Sequence, residues 1–503
     1  MYRHDNDALT VMDWFCGAGG SSQGVHAVPG VRVTRAANHW LRAIESHAAN
    51  FPNTDHYQGD IRKAPVWDWP VTDIFWASPE CTNWSVAKGK RRDFDTAMQG
   101  DLFSLLEDKE EEQPTAEEES RALMEEVPLY LRGVAERGGL VKAGIVENVV
   151  DVRAWDQWDR WLGEIRKLGY DTRIIALNAM HAHPRTVHQA PQSRDRLFVA
   201  YWHKSLGRTP DWNKWLRPRA WCDKCGQHVD AMQVFKRPGR DMGRYRQQYV
   251  YRCPNATCRY QLLEPETLPA AACIDWTLPG QRIGDRIKPL ADKTLARIQA
   301  GIARFGRPIT LEAAGNTFER RPGVRTWPVD APLTTQTATM TKALAIPPLM
   351  VPVEGRDGKE ANTALLPLRT QTARNETGLA WLPFIAELRG GGSVARPVTE
   401  ALATVTASGN HHGLVTPDSR IAVIEGHVDI DDVLFRMLEP HEIGRAMSFA
   451  DEYIVLGSKR ERVRQYGNAV PPNMAEILVC ALVEAITGED IDRHAQPETA
   501  LAA

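Results

Sequence analysis

The feature that most constrains this chain is an apolar run that ends in glycine and resumes as a helix. Leu9-Thr10-Val11-Met12-Asp13 reads as a strand, Phe15-Cys16-Gly17-Ala18-Gly19-Gly20 as a tight turn, and Ser21 to Val28 as the opening of a helix. A turn so poor in side chains lets backbone approach a ligand closely with N–H groups pointing at it. Taken alone it is equally consistent with an ordinary strand-to-helix connection. The alternation continues, however. Val31 to Ala37 reads as a second strand and Trp40 to Asn50 as a helix, with further strands at Asp73–Ala77, Gly144–Glu147, Asp171–Asn178 and Arg196–Trp202. Between them, Trp158, Trp161, Leu162 and Ile165 recur at helical spacing. Strands alternating with helices predict an α/β fold, a mostly parallel sheet with helices on both faces.

With 503 residues the chain has room for two or three domains. No apolar run is expected to span a bilayer, and Met1 to Asp7 is too polar to open a signal peptide, so the expectation is a cytoplasmic enzyme with no membrane association. The net charge of −3 averages over unlike segments. Glu107 to Glu126 is acidic, and an insertion over 100–126 is expected to be mobile. From Arg185 to Arg259 basic residues alternate with Trp and Tyr, an electrostatic footprint for phosphate or a solvated surface.

Past Tyr201 the pattern changes. Pro332-Leu333-Thr334-Thr335-Gln336-Thr337-Ala338 recurs as Pro367 to Ala373 and, degraded, as Ala401 to Ala407. Their Thr-rich alternation predicts three similar β units stacked in a smaller β-rich domain. Met474 to Val483 is apolar on most faces and must be buried. Four of the eight cysteines cluster as Cys222-x2-Cys225 and Cys253-x4-Cys258, the spacing of a metal site.

Phe15 to Gly20, Cys81, Glu147-Asn148-Val149, Gln192-Ser193-Arg194-Asp195-Arg196 and Gly467-Asn468-Ala469-Val470 occur in that order. In this the chain resembles the cytosine-5 DNA methyltransferases over nearly its full length. The resemblance implies a Rossmann-like methyltransferase sheet plus a smaller β-rich target-recognition domain. It implies that Cys81, as thiolate, adds to C6 of cytosine and turns the ring into an enamine. Glu147, protonated in a closed pocket, would meet the ring nitrogen N3. Arg194 and Arg196 would position the catalytic loop and contact O2. The methyl donor would be S-adenosylmethionine, held by Phe15, Gly17, Ala18, Gly19, Gly20, His39, Trp40, Asp60, Ile61 and Pro79, with Asn468 and Ala469 closing the pocket from the chain's far end. This chain departs from the family pattern in having Glu80 before the nucleophile, Thr82 after it, His39 where the family has a ribose-binding acid, and a long acidic loop. A carboxylate at position 80 disfavours a thiolate beside it.

The implied boundaries are a catalytic domain at 1–205, a target-recognition domain at 206–435 with a zinc ribbon at 220–262 and Thr-rich repeats at 328–417, a return segment at 436–490, and a tail at 491–503. Cys222, Cys225, Cys253 and Cys258 have the look of a four-thiolate structural zinc site; the alternative is four free thiols that never converge. Arg237, Arg240, Arg244 and Arg246, between the two cysteine pairs, are candidates for phosphate contact. Because a base inside a duplex cannot be attacked from above its ring, the cytosine must flip out, with Asn83, Trp84 and Lys88 candidates for closing over it. The expected partner is double-stranded DNA, met by a monomer. The rival readings are an RNA cytosine-5 methyltransferase and a catalytically inactive zinc-containing DNA-binding protein.

Overall fold

A computed structural model describes residues 8–79, 116–268, most of 270–289 and 439–494; between 290 and 438 it describes isolated strands and two single positions. Cys81, Asn83, Trp84, Lys88, residues 100–115 of the acidic segment and most of the Thr-rich repeats lie outside the described residues.

The first part runs β1 (Leu9–Trp14), α1 (Gly20–His26), β2 (Val31–Asn38), α2 (Leu41–Asn50), β3 (Asp55–Gln58), β4 (Ile74–Ala77), α3 (Ala116–Glu136), β5 (Ala143–Asn148), α4 (Trp158–Lys167), β6 (Tyr170–Asn178), β7 (Gln192–Ser193) and β8 (Asp195–His203). Seven of these strands form one sheet in the order β3-β2-β1-β4-β5-β8-β6. Its pairs are parallel except that β8 runs antiparallel to both β5 and β6. Strand order reverses between β1 and β4, which makes their carboxyl ends the switch point where α/β sheets place ligands. Trp14 pairs with Ala77, so the glycine turn and the segment Ser78-Pro79 leave the sheet side by side.

The central strands are buried on both faces. Met12, Trp14, Phe75 and Val146 join one core, with α3 and α4 over it, while Val11, Ile74, Trp76 and Ile145 join the other. That period of two follows from alternating side chains along each strand. The edge strand β3 escaped the sequence reading because Asp55-His56-Tyr57-Gln58 carries no apolar alternation.

The acidic segment is a correction from Ala116 onward, where the chain is a helix rather than a mobile insertion. Met124, Val127, Tyr130, Leu131 and Val134 form a buried stripe that holds α3 to the sheet despite its charged face. Pro128 inside that helix has no N–H to offer the Met124 carbonyl, and Trp161 Nε1 donates to it instead at 2.8 Å.

After α5 (Trp212–Leu216) come the short strands β9 (Arg219–Cys222), β10 (Gln227–Asp230), β11 (Met232–Phe235), β12 (Tyr249–Arg252) and β13 (Leu262–Leu263). β9 pairs with β10, and β11, β12 and β13 form a second small sheet. Farther on lie an eight-stranded sheet and a three-stranded one. The described strands beside the repeats lie in different sheets. The apolar stretch after the first copy enters the eight-stranded sheet at Lys342–Ala345, whereas that after the second enters the three-stranded sheet at Thr377–Ala380. Leu402–Ala403 of the third pairs with β7.

The chain returns through α6 (Pro440–Ala446), α7 (Lys459–Asn468) and α8 (Pro472–Thr487). The stretch Lys459–Thr487 is long and apolar enough to cross a membrane by length and composition, contrary to the expectation that no such run exists. Its apolar part is instead nearly all buried, since α8 packs on α1, where Gly24 leaves room for the Pro472 carbonyl.

Candidate active site and a four-cysteine cluster

Glu147 sits near the end of β5, 8% exposed, with its Oε1 2.9 Å from Arg196 Nε at the start of β8. Burial pushes its carboxyl above the usual range, against the opposing pull of Arg196, Arg194 and the Ser78 hydroxyl. Arg194, 1% exposed, donates from Nη2 to the carbonyls of Gly467 and Ala469, both at 3.1 Å. Asn148 Nδ2 reaches the carbonyl of buried Pro79 at 3.4 Å. Thus the two arginines, the acid, the returning Gly467–Ala469 segment and the strand end that leads toward Cys81 meet at one place. Asn468 itself is exposed and Ala469 buried.

The glycine turn begins at Phe15, whose φ of 61° is unusual for a side chain of that bulk. Gly17 lies at φ 55° with nothing within 4 Å of where a Cβ would stand, an open backbone face suited to a ligand. Gly19 and Gly20 are closed by contrast. A Cβ on Gly19 would lie 2.4 Å from the Tyr453 hydroxyl, and one on Gly20 2.1 Å from the Val470 carbonyl. Tyr453 donates to the Ala18 carbonyl at 2.5 Å, and Ala18 is fully buried. Behind the turn, buried Asp13 accepts from Ser21 at 2.6 Å and Ser22 at 2.7 Å. Ser22 also meets His47 Nε2 at 2.9 Å, and His47 Nδ1 meets His56 at 2.8 Å. Burial lifts the Asp13 carboxyl to about 7 and drops His47 to about 3. Nothing in the local sequence of the turn marks Tyr453, Phe449 or His47 as its support, because they lie far along the chain.

The remaining cofactor candidates line the neighbouring strand ends. Asn38 and Gln58 are paired, which brings His39-Trp40 beside Asp60-Ile61. His39 is exposed. The Arg464 guanidinium lies 4.5 Å from the centre of the Trp40 ring. Asp60 caps a short 3-10 turn and binds Arg62, which holds its carboxyl below the usual range. Ile61 is buried.

The four cysteines do converge. The sulfurs of Cys222, Cys225, Cys253 and Cys258 all lie within 4.8 Å of one another, and Cys225 and Cys253 are 3.8 Å apart. Four thiolates at about 2.3 Å from a zinc ion would be spaced at just such distances. Backbone N–H groups of Cys225 and Gly226 return to the Cys222 carbonyl and shape the first knuckle. The backbone of Gln261 draws the Cys258 thiol down to about 7. Two of the four arginines considered for phosphate are committed elsewhere, Arg244 to Asp151 at 2.6 Å and Arg246 to Glu264 at 3.0 Å. Arg237 and Arg240 are exposed.

The model of a family described as C-5 cytosine-specific DNA methylase matches residues 9–116 and 370–484. The matched parts hold the glycine turn, Cys81 and the Gly467–Val470 segment; Glu147, the two arginines and the cysteine cluster fall between them. No curated protein matches the sequence. Among solved structures, a mutant DNMT2 of Spodoptera frugiperda is 12% identical with a TM-score of 0.45, covering 95% of this chain and 100% of its own. The methyltransferase EhMeth of Entamoeba histolytica is 10% identical with a TM-score of 0.44, covering 95% and 99%. A DNA modification methyltransferase encoded within an Escherichia coli prophage is 16% identical with a TM-score of 0.42, covering 96% and 100%. Over those two stretches the chain matches the C-5 cytosine-specific DNA methylase family, whose members use S-adenosylmethionine.

Proposed function

We propose that the chain is a DNA (cytosine-5)-methyltransferase acting on a cytosine flipped out of double-stranded DNA, as a cytoplasmic monomer. The observation that carries the reading is the buried Glu147–Arg196 pair beside the switch point of the sheet, tied through Ser78 and Asn148 to the strand end that leads to Cys81. In this reading the Cys81 thiolate forms a bond to C6, and the displaced ring electrons are met at N3 by the proton of Glu147. A carboxyl raised by burial retains that proton where an exposed one would lose it. Arg196, fixed beside Glu147, faces the base oxygen, and Arg194 locks the returning segment over the pocket. When bound, S-adenosylmethionine supplies a sulfonium-activated methyl group. Phe15 to Gly20 would hold it against the open face of Gly17, with Trp40, Asp60 and Ile61 beside it. After methylation the C5 proton leaves to water, the C–S bond breaks to return the thiolate, and N3 gives its proton back to Glu147.

The four-cysteine cluster supports a structural zinc ion with no open ligand position, within a target-recognition region that follows residue 205. The test supplies labelled S-adenosylmethionine together with duplex DNA or RNA, and maps modified cytosines by bisulfite sequencing. Label on DNA cytosine that disappears in Cys81→Ala is the expected result. Label on RNA alone, or undiminished transfer by Cys81→Ala, refutes the reading.

A further inference from the structure

Asp195 lies between the two arginines of the site, and its carboxylate faces the cysteine ribbon. Its Oδ1 accepts the Tyr245 backbone N–H at 3.1 Å and the Tyr249 hydroxyl at 3.3 Å. Tyr249 opens β12, the strand that runs directly into Cys253. Tyr249 and Tyr251 are fully buried, and the His181 ring stands edge-on to Tyr245 at 4.3 Å and to Tyr251 at 5.0 Å.

The ribbon also grips the other side of the acid. Asp151 and Arg153, in the 3-10 segment Val150–Ala154 just after Glu147-Asn148, exchange ion pairs with Arg244 at 2.6 Å and Asp241 at 2.9 Å. Gln233 on β11 donates to the Ala176 carbonyl of β6 at 2.8 Å. Cys222, Cys253 and Cys258 share one continuous core with Val146 and Leu197, neighbours of Glu147 and Arg196.

Exposed ion pairs contribute little on their own. Here, though, both follow Glu147 closely in the chain, while the contact at Asp195, next to Arg196, is made by the fully buried Tyr249. A ribbon whose role was only to hold its own loops would not need to bond the residue between two catalytic candidates.

We propose that the four-cysteine ribbon is a positioning element of the active site. In this reading zinc fixes Cys253, β12 carries that order to Tyr249, and Tyr245 and Tyr249 hold Asp195 so that Arg196 stays aimed at Glu147. Asp195 and Tyr249 are positioning residues, acting through Arg196 rather than on the base. The proposal rests on the reading of Glu147 and the arginines given above.

The test compares the zinc-loaded chain with Tyr249→Phe, Asp195→Ala and Asp195→Asn, with metal content measured by mass spectrometry. Displacing a catalytic group by a fraction of an ångström to one ångström is costly, so Tyr249→Phe and Asp195→Ala are expected to lose about tenfold or more in kcat. KM for DNA and the zinc content should hold. Asn at 195 keeps an acceptor for both donors and is expected to recover what Ala loses. Because Arg196 favours the ionised form of Glu147, loosening it should move the alkaline limb of the kcat–pH profile upward, a change that simple instability would not produce. Amide hydrogen exchange over residues 192–198 provides a readout independent of methylation. Removing zinc with a chelator should speed that exchange in wild type, and Tyr249→Phe should already show part of the increase. An unchanged kcat and pH profile in Tyr249→Phe, exchange at 192–198 indifferent to zinc, or a chain purified without zinc would each overturn the proposal. An inactive wild type with zinc-sensitive exchange would instead count against the methyltransferase reading and leave the coupling standing.

Discussion

Replacing Asp13 by Asn should change how stability depends on pH more than it changes stability itself. Asp13 is fully buried, and its carboxyl titrates at about 7 instead of 3.8, chiefly because burial disfavours the charge. The folded chain therefore binds a proton that the unfolded chain has already lost, so stability attributable to this group falls as pH rises between those two values. The full cost of the buried charge is about 4 kcal/mol, at 1.36 kcal/mol for each of the 3.2 units between 3.8 and about 7. Between pH 5 and pH 8 the share still to be lost is roughly 2–3 kcal/mol. His47 opposes this, because it is buried neutral with its pKa lowered to about 3, so it costs stability as pH falls below its ordinary 6.5. The raw pH profile of the wild type thus mixes two opposite trends. The difference between wild type and Asp13→Asn isolates the carboxyl. Asn can still accept from Ser21 and Ser22, and any cost of its amide, placed where Asp13 Oδ1 has no partner, does not vary with pH. Urea unfolding followed by tryptophan fluorescence should show the variant gaining roughly 2–3 kcal/mol on wild type when the buffer moves from pH 5 to pH 8. A wild-type-minus-variant difference that is the same at both pH values would refute the assignment of a raised carboxyl behind the glycine turn.

Two further substitutions probe how the site is framed. Trp161→Phe leaves the Met124 carbonyl without a donor and should cost about 1–3 kcal/mol in urea unfolding. Adding Pro128→Ala restores the missing backbone N–H and should recover part of that loss, whereas simple additivity of the two changes would refute the explanation. Gly24→Ala places a Cβ 2.3 Å from the Pro472 carbonyl, which is backbone and cannot swing away. It should lower the urea midpoint by the equivalent of roughly 1–3 kcal/mol, and it should lower methyl transfer as well, because the residues just before α8 hold Arg194. A variant with the wild-type midpoint would show that α1 and α8 are not in close contact.

What the sequence made legible was local and periodic. The strand ending at Trp14, the glycine turn and the apolar runs at Ile74–Ala77 and Ala143–Asn148 declare themselves through burial on both faces, which demands continuous apolar residues. Glu147 and the arginines could be named from motif order, but their pairing at 2.9 Å could not, since it depends on β8 entering the sheet antiparallel next to β5. The acidic stretch misled because composition averages over a helix with one charged face and one buried stripe; the spacing of Met124, Val127, Tyr130, Leu131 and Val134 was the better signal. Convergence of the cysteines followed from spacing, whereas the ribbon's grip on Asp195 did not, because Tyr245 and Tyr249 look like ordinary core aromatics until their partners are seen. Support of the turn by Tyr453 spans most of the chain and leaves no trace in any window of sequence.

The central claim is that Cys81 attacks a flipped cytosine in DNA with Glu147 protonating the ring, and covalent capture tests it most directly. Duplex DNA carrying 5-fluorocytosine at target positions cannot lose its C5 substituent as a proton, so an enzyme that has attacked C6 and transferred its methyl group stays attached. With S-adenosylmethionine present, mass spectrometry of the digested complex is predicted to find the adduct on Cys81, sharply reduced in Glu147→Gln and absent in Cys81→Ala. An adduct on another residue, or capture by the equivalent RNA but never by DNA, would contradict the account.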